Sequence, residues 1–143
     1  MAQPMPEHCM SVLVVDADTT QHESMRAILG EHYKLSFVVG MSEALRALQQ
    51  STPDLLVSEI DLADGTGLEL CAQIRGLPGG SRLPIMLVTS HSSTSDKVAG
   101  FQAGADDYVV KPVDSRLFSA RLRLLFRLKG IERPRDLHSA QDA

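Results

Sequence analysis

Four side chains stand at the ends of apolar runs: Asp16 after "VLVV", Glu59 after "LLVS", Thr89 closing "IMLVT", and Lys111 after "DYVV". If these runs are parallel strands of one sheet, their carboxyl ends share a rim, and open α/β sheets bind their ligands there. Two carboxylates, a hydroxyl and an ammonium would then converge. Asp61 and Asp64 follow Glu59 in an acidic, glycine-bearing stretch, "IDLADG", whose simplest use is a turn with solvated charge. The stretch after the first run, "DADTTQ", has no glycine to let a phosphate approach the backbone, which disfavours a flavin or nucleotide binder.

Positioning these groups requires alternating strands and helices. Buried strands are expected at Ser11 to Asp16, Lys34 to Val39, Asp54 to Glu59, Pro84 to Thr89 and Asp107 to Val110. Segments of helical period fall between them, near Thr20 to Gly30, Ser42 to Gln50, Leu68 to Leu77 and Ser95 to Ala103, with a last one from Ser115 to about Lys129. The pattern is that of an α/β fold, a doubly wound five-stranded parallel sheet with about five helices. Ser42 and Ser95 can cap helices, and Gly30 and Gly104 follow helices where a left-handed residue is wanted. Met25, Ile28, Leu29 and His32 form one helical stripe and Leu70, Cys71, Ile74 and Leu77 another, both read as core. His32 is read as a helix-end or partly buried histidine, and His91, two residues past Thr89, as an exposed loop histidine near the pocket mouth.

The 143 residues are 43% hydrophobic and 22% charged, enough for one domain with its own core. No apolar run approaches the ~18 residues that span a bilayer, and "MAQPMPEHCM" lacks the features of a signal peptide, so a cytoplasmic protein is expected, with no membrane partner. Two cysteines, Cys9 and Cys71, are too few for a disulfide framework. Residues 1–9 and 131–143 are polar and proline-bearing and are read as tails, the second as a tail or the start of a linker. From Ser115 to Gly130 there are five bases and no acid, while the rest of the chain nets −9. A solvated face or a protein contact is the commoner use of such a basic helix, and no nucleic acid is expected to bind through this domain.

The segments "VLVVDAD", "PDLLVSEIDLADGTGLEL", "LPIMLVTS", "GFQAGADDYVVKP" and "RLFSARLRLLFR" resemble, in this order, the receiver domain of bacterial two-component response regulators. The resemblance covers Met10 to about Lys129 and implies the flavodoxin-like, CheY-like strand order 2-1-3-4-5. It also implies a phosphorelay signalling role without enzymatic activity, with a histidine kinase or other signalling protein as partner. In that family two adjacent acids after the first strand hold magnesium, and an aspartate ending the third strand accepts phosphate. Thr89 and Lys111 match the residues that bind the phosphoryl oxygens, Tyr108 the switch aromatic, and Pro112 a proline that often follows a cis bond.

Two positions depart from that pattern. The acid pair reads Asp16-Ala17, and the phosphoacceptor position is Glu59. Magnesium needs well-placed oxygen ligands, and a methyl group supplies none, so Asp16 and Glu59 should bind it weakly or not at all. Asp18 could reach back only if its loop were re-aimed. The glutamate oxygens lie about 1.5 Å farther out, an offset that is costly where phosphoryl transfer depends on positioning. A pseudo-receiver acting by protein contact is therefore expected, with no cofactor. Glu59 would either pair with Lys111 as a built-in phosphate mimic or stand idle. The alternatives are a phosphorylation-competent receiver using Asp61, Asp64 or another acid, and the receiver part of a larger regulator with a DNA-binding or cyclase output.

The resemblance also implies an output face on the fourth helix, fifth strand and last helix, through which a homodimer could form. Arg121 and Asp107 match one bridging pair of that face and Lys97 a basic position. On the last helix, Leu117, Ala120 and Leu124 are expected in the core, which would leave Phe118, Leu122 and Leu125 as a partner surface, with a deeper-lying helix as the alternative.

Overall fold

A computed structural model describes residues 9–130, so the two expected tails lie outside the described residues except at Cys9. The expected strands are β1 (Ser11–Val15), β2 (Lys34–Val38), β3 (Leu55–Ser58), β6 (Ile85–Thr89) and β7 (Asp107–Val110). They form one parallel sheet in the order β2-β1-β3-β6-β7. Between β3 and β6 a short hairpin, β4 (Asp61–Leu62) and β5 (Gly65–Thr66), occupies the stretch expected to be a simple turn. With the hairpin set aside, the order is the expected 2-1-3-4-5.

Five helices cover the sheet: α1 (Thr19–Leu29), α2 (Met41–Gln50), α3 (Gly67–Arg75), α4 (Thr94–Ala103) and α5 (Ser115–Leu128). Side chains alternate across each strand. Val12, Val14, Leu55, Val57, Met86, Val88 and Val109 face one side, where they pack with Met25 and Leu29 of α1 and with α5. Leu13, Val15, Leu56, Ile85, Leu87 and Tyr108 face the other, against Ala44, Leu70, Cys71 and Ile74. Burial pushes the Cys71 thiol up to about 11, so it stays protonated and packs as a small apolar group.

The helix starts differ from expectation in an informative way. Ser93, not Ser95, caps α4, its Oγ accepting from Asp96 N at 3.0 Å. Ser42 lies inside α2, and the cap there is the carboxylate of Asp64, which accepts from Met41 N at 2.8 Å and Ser42 N at 2.9 Å. Those two amide bonds hold the Asp64 carboxyl below its ordinary value. Gly40, the residue before α2, leaves room for it: a Cβ there would meet Asp64 Oδ1 at 2.7 Å. Gly104 ends α4 with φ 119°, in the left-handed region, whereas Gly30 has φ −61° and makes no such turn. His32 and Leu77 are exposed, because each falls past the end of its helix.

The expectation for α5 is reversed. Phe118, Leu122 and Leu125, expected to be a partner surface, are buried with Phe126, while Leu117 and Leu124 are exposed. Both stripes are apolar at helical spacing, but the buried one carries two phenylalanines and the other an alanine, so the sheet takes the side with more apolar volume. At the amino ends of the strands, Arg75 donates to the carbonyls of Gly80, Leu83 and Gly104 and to Asp106, fastening the end of α3 to the turn before β7.

The reversal can be tested by truncation. Leu122, 0% exposed, should cost about 2–5 kcal/mol in urea unfolding when replaced by alanine, whereas Leu124, 45% exposed, should cost under about 0.5 kcal/mol. The opposite ranking would return the 117/120/124 stripe to the core.

Candidate functional site

The parallel register brings Asp16, Glu59, Thr89 and Lys111 to one rim, as their positions at strand ends required. Lys111 follows β7 and reaches across two strands. Its Nζ lies 3.1 Å from Asp16 Oδ2 and 2.8 Å from Glu59 Oε1. The side chain is 18% exposed, and both carboxylates are buried.

Every oxygen of the two carboxylates is engaged. Asp16 Oδ1 accepts from Asp18 N at 2.9 Å. Glu59 Oε2 accepts from Ile60 N at 2.6 Å and from Asp61 N at 3.3 Å. Burial works to raise the Glu59 carboxyl, but hydrogen bonds from Lys111, Thr89 and the Ile60 amide, with the Lys111 charge, hold it below its ordinary value. For Lys111 burial works downward, and the two carboxylates hold it above its ordinary value. The extra methylene of Glu59 thus lets its head turn back over the start of the following loop and meet the lysine.

Asp18 does not join this group. Its Oδ1 accepts from Thr20 N at 2.9 Å and caps α1. Among the described residues no cluster of three or more His, Cys, Asp or Glu is placed to hold a metal ion.

Two histidines adjoin the pocket: His22, which the sequence reading missed, and His91, which it placed near the pocket mouth as an exposed loop histidine. His22, buried on α1, donates from Nε2 to the Asp16 carbonyl at 2.5 Å and so fixes the end of β1. It lies three residues before Met25 on the buried stripe, the one signal that could have found it. His91 sets Nε2 2.8 Å from Asp61 Oδ2 and Nδ1 3.8 Å from Asp96 Oδ2. The hydrogen bond with Asp61 and its charge raise the His91 pKa. Asp61 is therefore a partner of the next loop, not merely a solvated charge, and Asp64 points away to α2.

Tyr108 lies buried under α4, its hydroxyl donating to the His91 carbonyl at 2.7 Å. Gly100 provides the clearance: a Cβ there would come within 2.9 Å of the Tyr108 ring. The Lys111-Pro112 peptide bond is cis. On the expected output face, Arg121 Nε lies 3.4 Å from Asp107 Oδ2 of the same chain, and Lys97 is exposed on α4.

Residues 12–123 match the family model described as response regulator receiver domain. The response regulator MprA of Mycobacterium tuberculosis is 40% identical over 117 residues, 81% of this chain and 50% of its own length. MprA of Mycobacterium avium is 40% identical over 119 residues, 82% and 51%. The chain thus spans about half the length of these curated relatives. Among solved structures, a response regulator from Chloroflexus aurantiacus superposes with a TM-score of 0.79 at 32% identity, covering 82% of this chain and 98% of that one. The signal receiver domain of a histidine kinase from Syntrophus aciditrophicus gives 0.78 at 31% identity, covering 87% and 93%.

Because Lys111 pairs with two buried acids, Lys111→Met should destabilise the protein by about 3–5 kcal/mol at pH 7. The pH slopes should also be opposite. In the native protein the lowered Glu59 carboxyl contributes stability that is full above its ordinary value of 4.5 and is lost as pH falls below it. In the variant Glu59 has lost the lysine and its burial acts to raise it, so stability is greatest in acid and declines as pH rises through it. Urea midpoints from pH 3.5 to pH 8, a range chosen to bracket the carboxylates, would read this, and parallel slopes would refute it.

Proposed function

The chain belongs to the response regulator receiver domain family, and on that premise we propose that it signals by protein contact without aspartyl phosphorylation, its Glu59 standing in for the phosphorylated residue. The observation that carries this reading is the Lys111 ammonium between Asp16 and Glu59. The lysine matched to phosphoryl binding already holds a built-in anion.

The residues present do not fit a magnesium ion. All four oxygens of Asp16 and Glu59 are bound by the lysine or by backbone amides, Ala17 offers no oxygen, and Asp18 caps α1. A hard cation needing near-octahedral oxygen ligands would have to displace Lys111 first. No step is therefore assigned to a metal, and the module acts as a surface, not as an enzyme.

The mimicry is partial on energetic grounds. A phosphoryl group carries about two negative charges, the glutamate one. Driving a switch from 1:99 to 99:1 takes ~5.5 kcal/mol of differential interaction, more than one partly solvated ion pair supplies. Glu59 thus biases the domain, and a partner completes the change. The face of α4, β7 and α5, with Val98, Phe101 and Leu117 exposed beside the edge strand, is where a signalling protein or a second copy would meet it. That the relatives are about twice as long is consistent with such a domain serving within a larger regulator.

Intact mass after incubation with acetyl phosphate and magnesium tests the reading. The natural chain should gain nothing, and a variant carrying both Ala17→Asp and Glu59→Asp should gain about 80 Da, one phosphoryl group. An adduct on the natural chain would overturn it, and loss of that adduct in Asp61→Asn would give the role to Asp61.

A further inference from the structure

The outer surface of α5 carries two parallel lanes. At 100° per residue, Arg116, Arg123 and Arg127 fall in one lane and Leu117, Leu124 and Leu128 in the next, with Ala120 between them and the buried stripe behind. All six lane residues are exposed. The leucines are three of the seven large apolar side chains exposed among the described residues, a concentration that marks a contact surface. Arg121, beyond the leucine lane, is turned onto Asp107. Among the described residues no ion pair to an acid is found for the three arginines of the other lane.

We propose that this face docks an amphipathic helix of another protein, one bearing acidic side chains in one lane and apolar side chains in the adjacent one. Charge complementarity selects this occupant. The arginine lane calls for carboxylates, which a facing helix can present at the same i, i+7, i+11 spacing, and its apolar lane would cover the leucines. A second copy of this chain does not supply them: antiparallel self-pairing of α5 sets arginine lane on arginine lane, and parallel pairing sets arginines on leucines. An anionic membrane or duplex would have to approach a body that nets −9 outside Ser115 to Gly130, whereas a single helix meets only α5 itself. The surface is independent of the Lys111 pocket, so the proposal stands or falls apart from the phosphorylation reading.

Fluorescence anisotropy of the full chain with a labelled synthetic helix, glutamates in one lane and leucines in the next, tests it. The helix should bind, more weakly as salt rises from about 0.05 M to about 0.5 M. Arg116→Gln, Arg123→Gln and Arg127→Gln together should weaken binding roughly tenfold, with an unchanged melting temperature as control for folding. A peptide of the same composition with its lanes scrambled should not bind. Equal binding of the scrambled peptide would overturn the proposal, as would no binding of the designed one. So would tighter binding to phosphatidylglycerol vesicles or duplex DNA, or dimerisation of the chain that Leu124→Gln abolishes.

Discussion

The ammonium of Lys111, set between two buried carboxylates, is the interaction on which the rim of this molecule depends. Parallel strands covered on both faces leave no room for charge along their length, so charged groups gather where the strands end. At that end Asp16 and Glu59 come from neighbouring strands, and without a cation between them their mutual repulsion and loss of water would oppose folding. One lysine from the opposite edge strand resolves both costs. The amides of Asp18, Ile60 and Asp61 take up what remains of the two carboxylates.

That arrangement also fixes how the pocket relates to the rest of the domain. Glu59 draws the start of the β3 to α3 connection over the pocket, Asp61 continues it to His91, and the His91 carbonyl receives the Tyr108 hydroxyl. The acid site and the buried aromatic ring are thus joined by a short series of direct contacts. A change in the charge held by Lys111 would be felt first in that connection and next at the ring.

Much of this was legible in the sequence, for identifiable reasons. Five apolar runs flanked by proline, glycine and polar residues located the strands within a residue or so, and a parallel sheet then obliged Asp16, Glu59, Thr89 and Lys111 to converge. The pairing of Lys111 with Glu59 was one of two outcomes that the sequence left open, and the length of a glutamate is what lets it form. What was missed involves partners without periodic spacing. Asp64 caps a helix that starts 23 residues earlier, and His91 meets an acid 30 residues away on another loop. The orientation of α5 was misjudged because it carries two apolar stripes, and only summed side-chain volume, Phe118 and Phe126 above all, distinguishes the one that packs.

The cap of α2 has a consequence in time. Most helices carry the residue that completes their first turn immediately before it, so the turn can close as soon as the chain is made. Here the residue before α2 is a glycine, and the carboxylate that binds its first amides is on the hairpin after β3. During synthesis the carboxylate that binds the first amides of α2 is therefore made only after the third strand has followed.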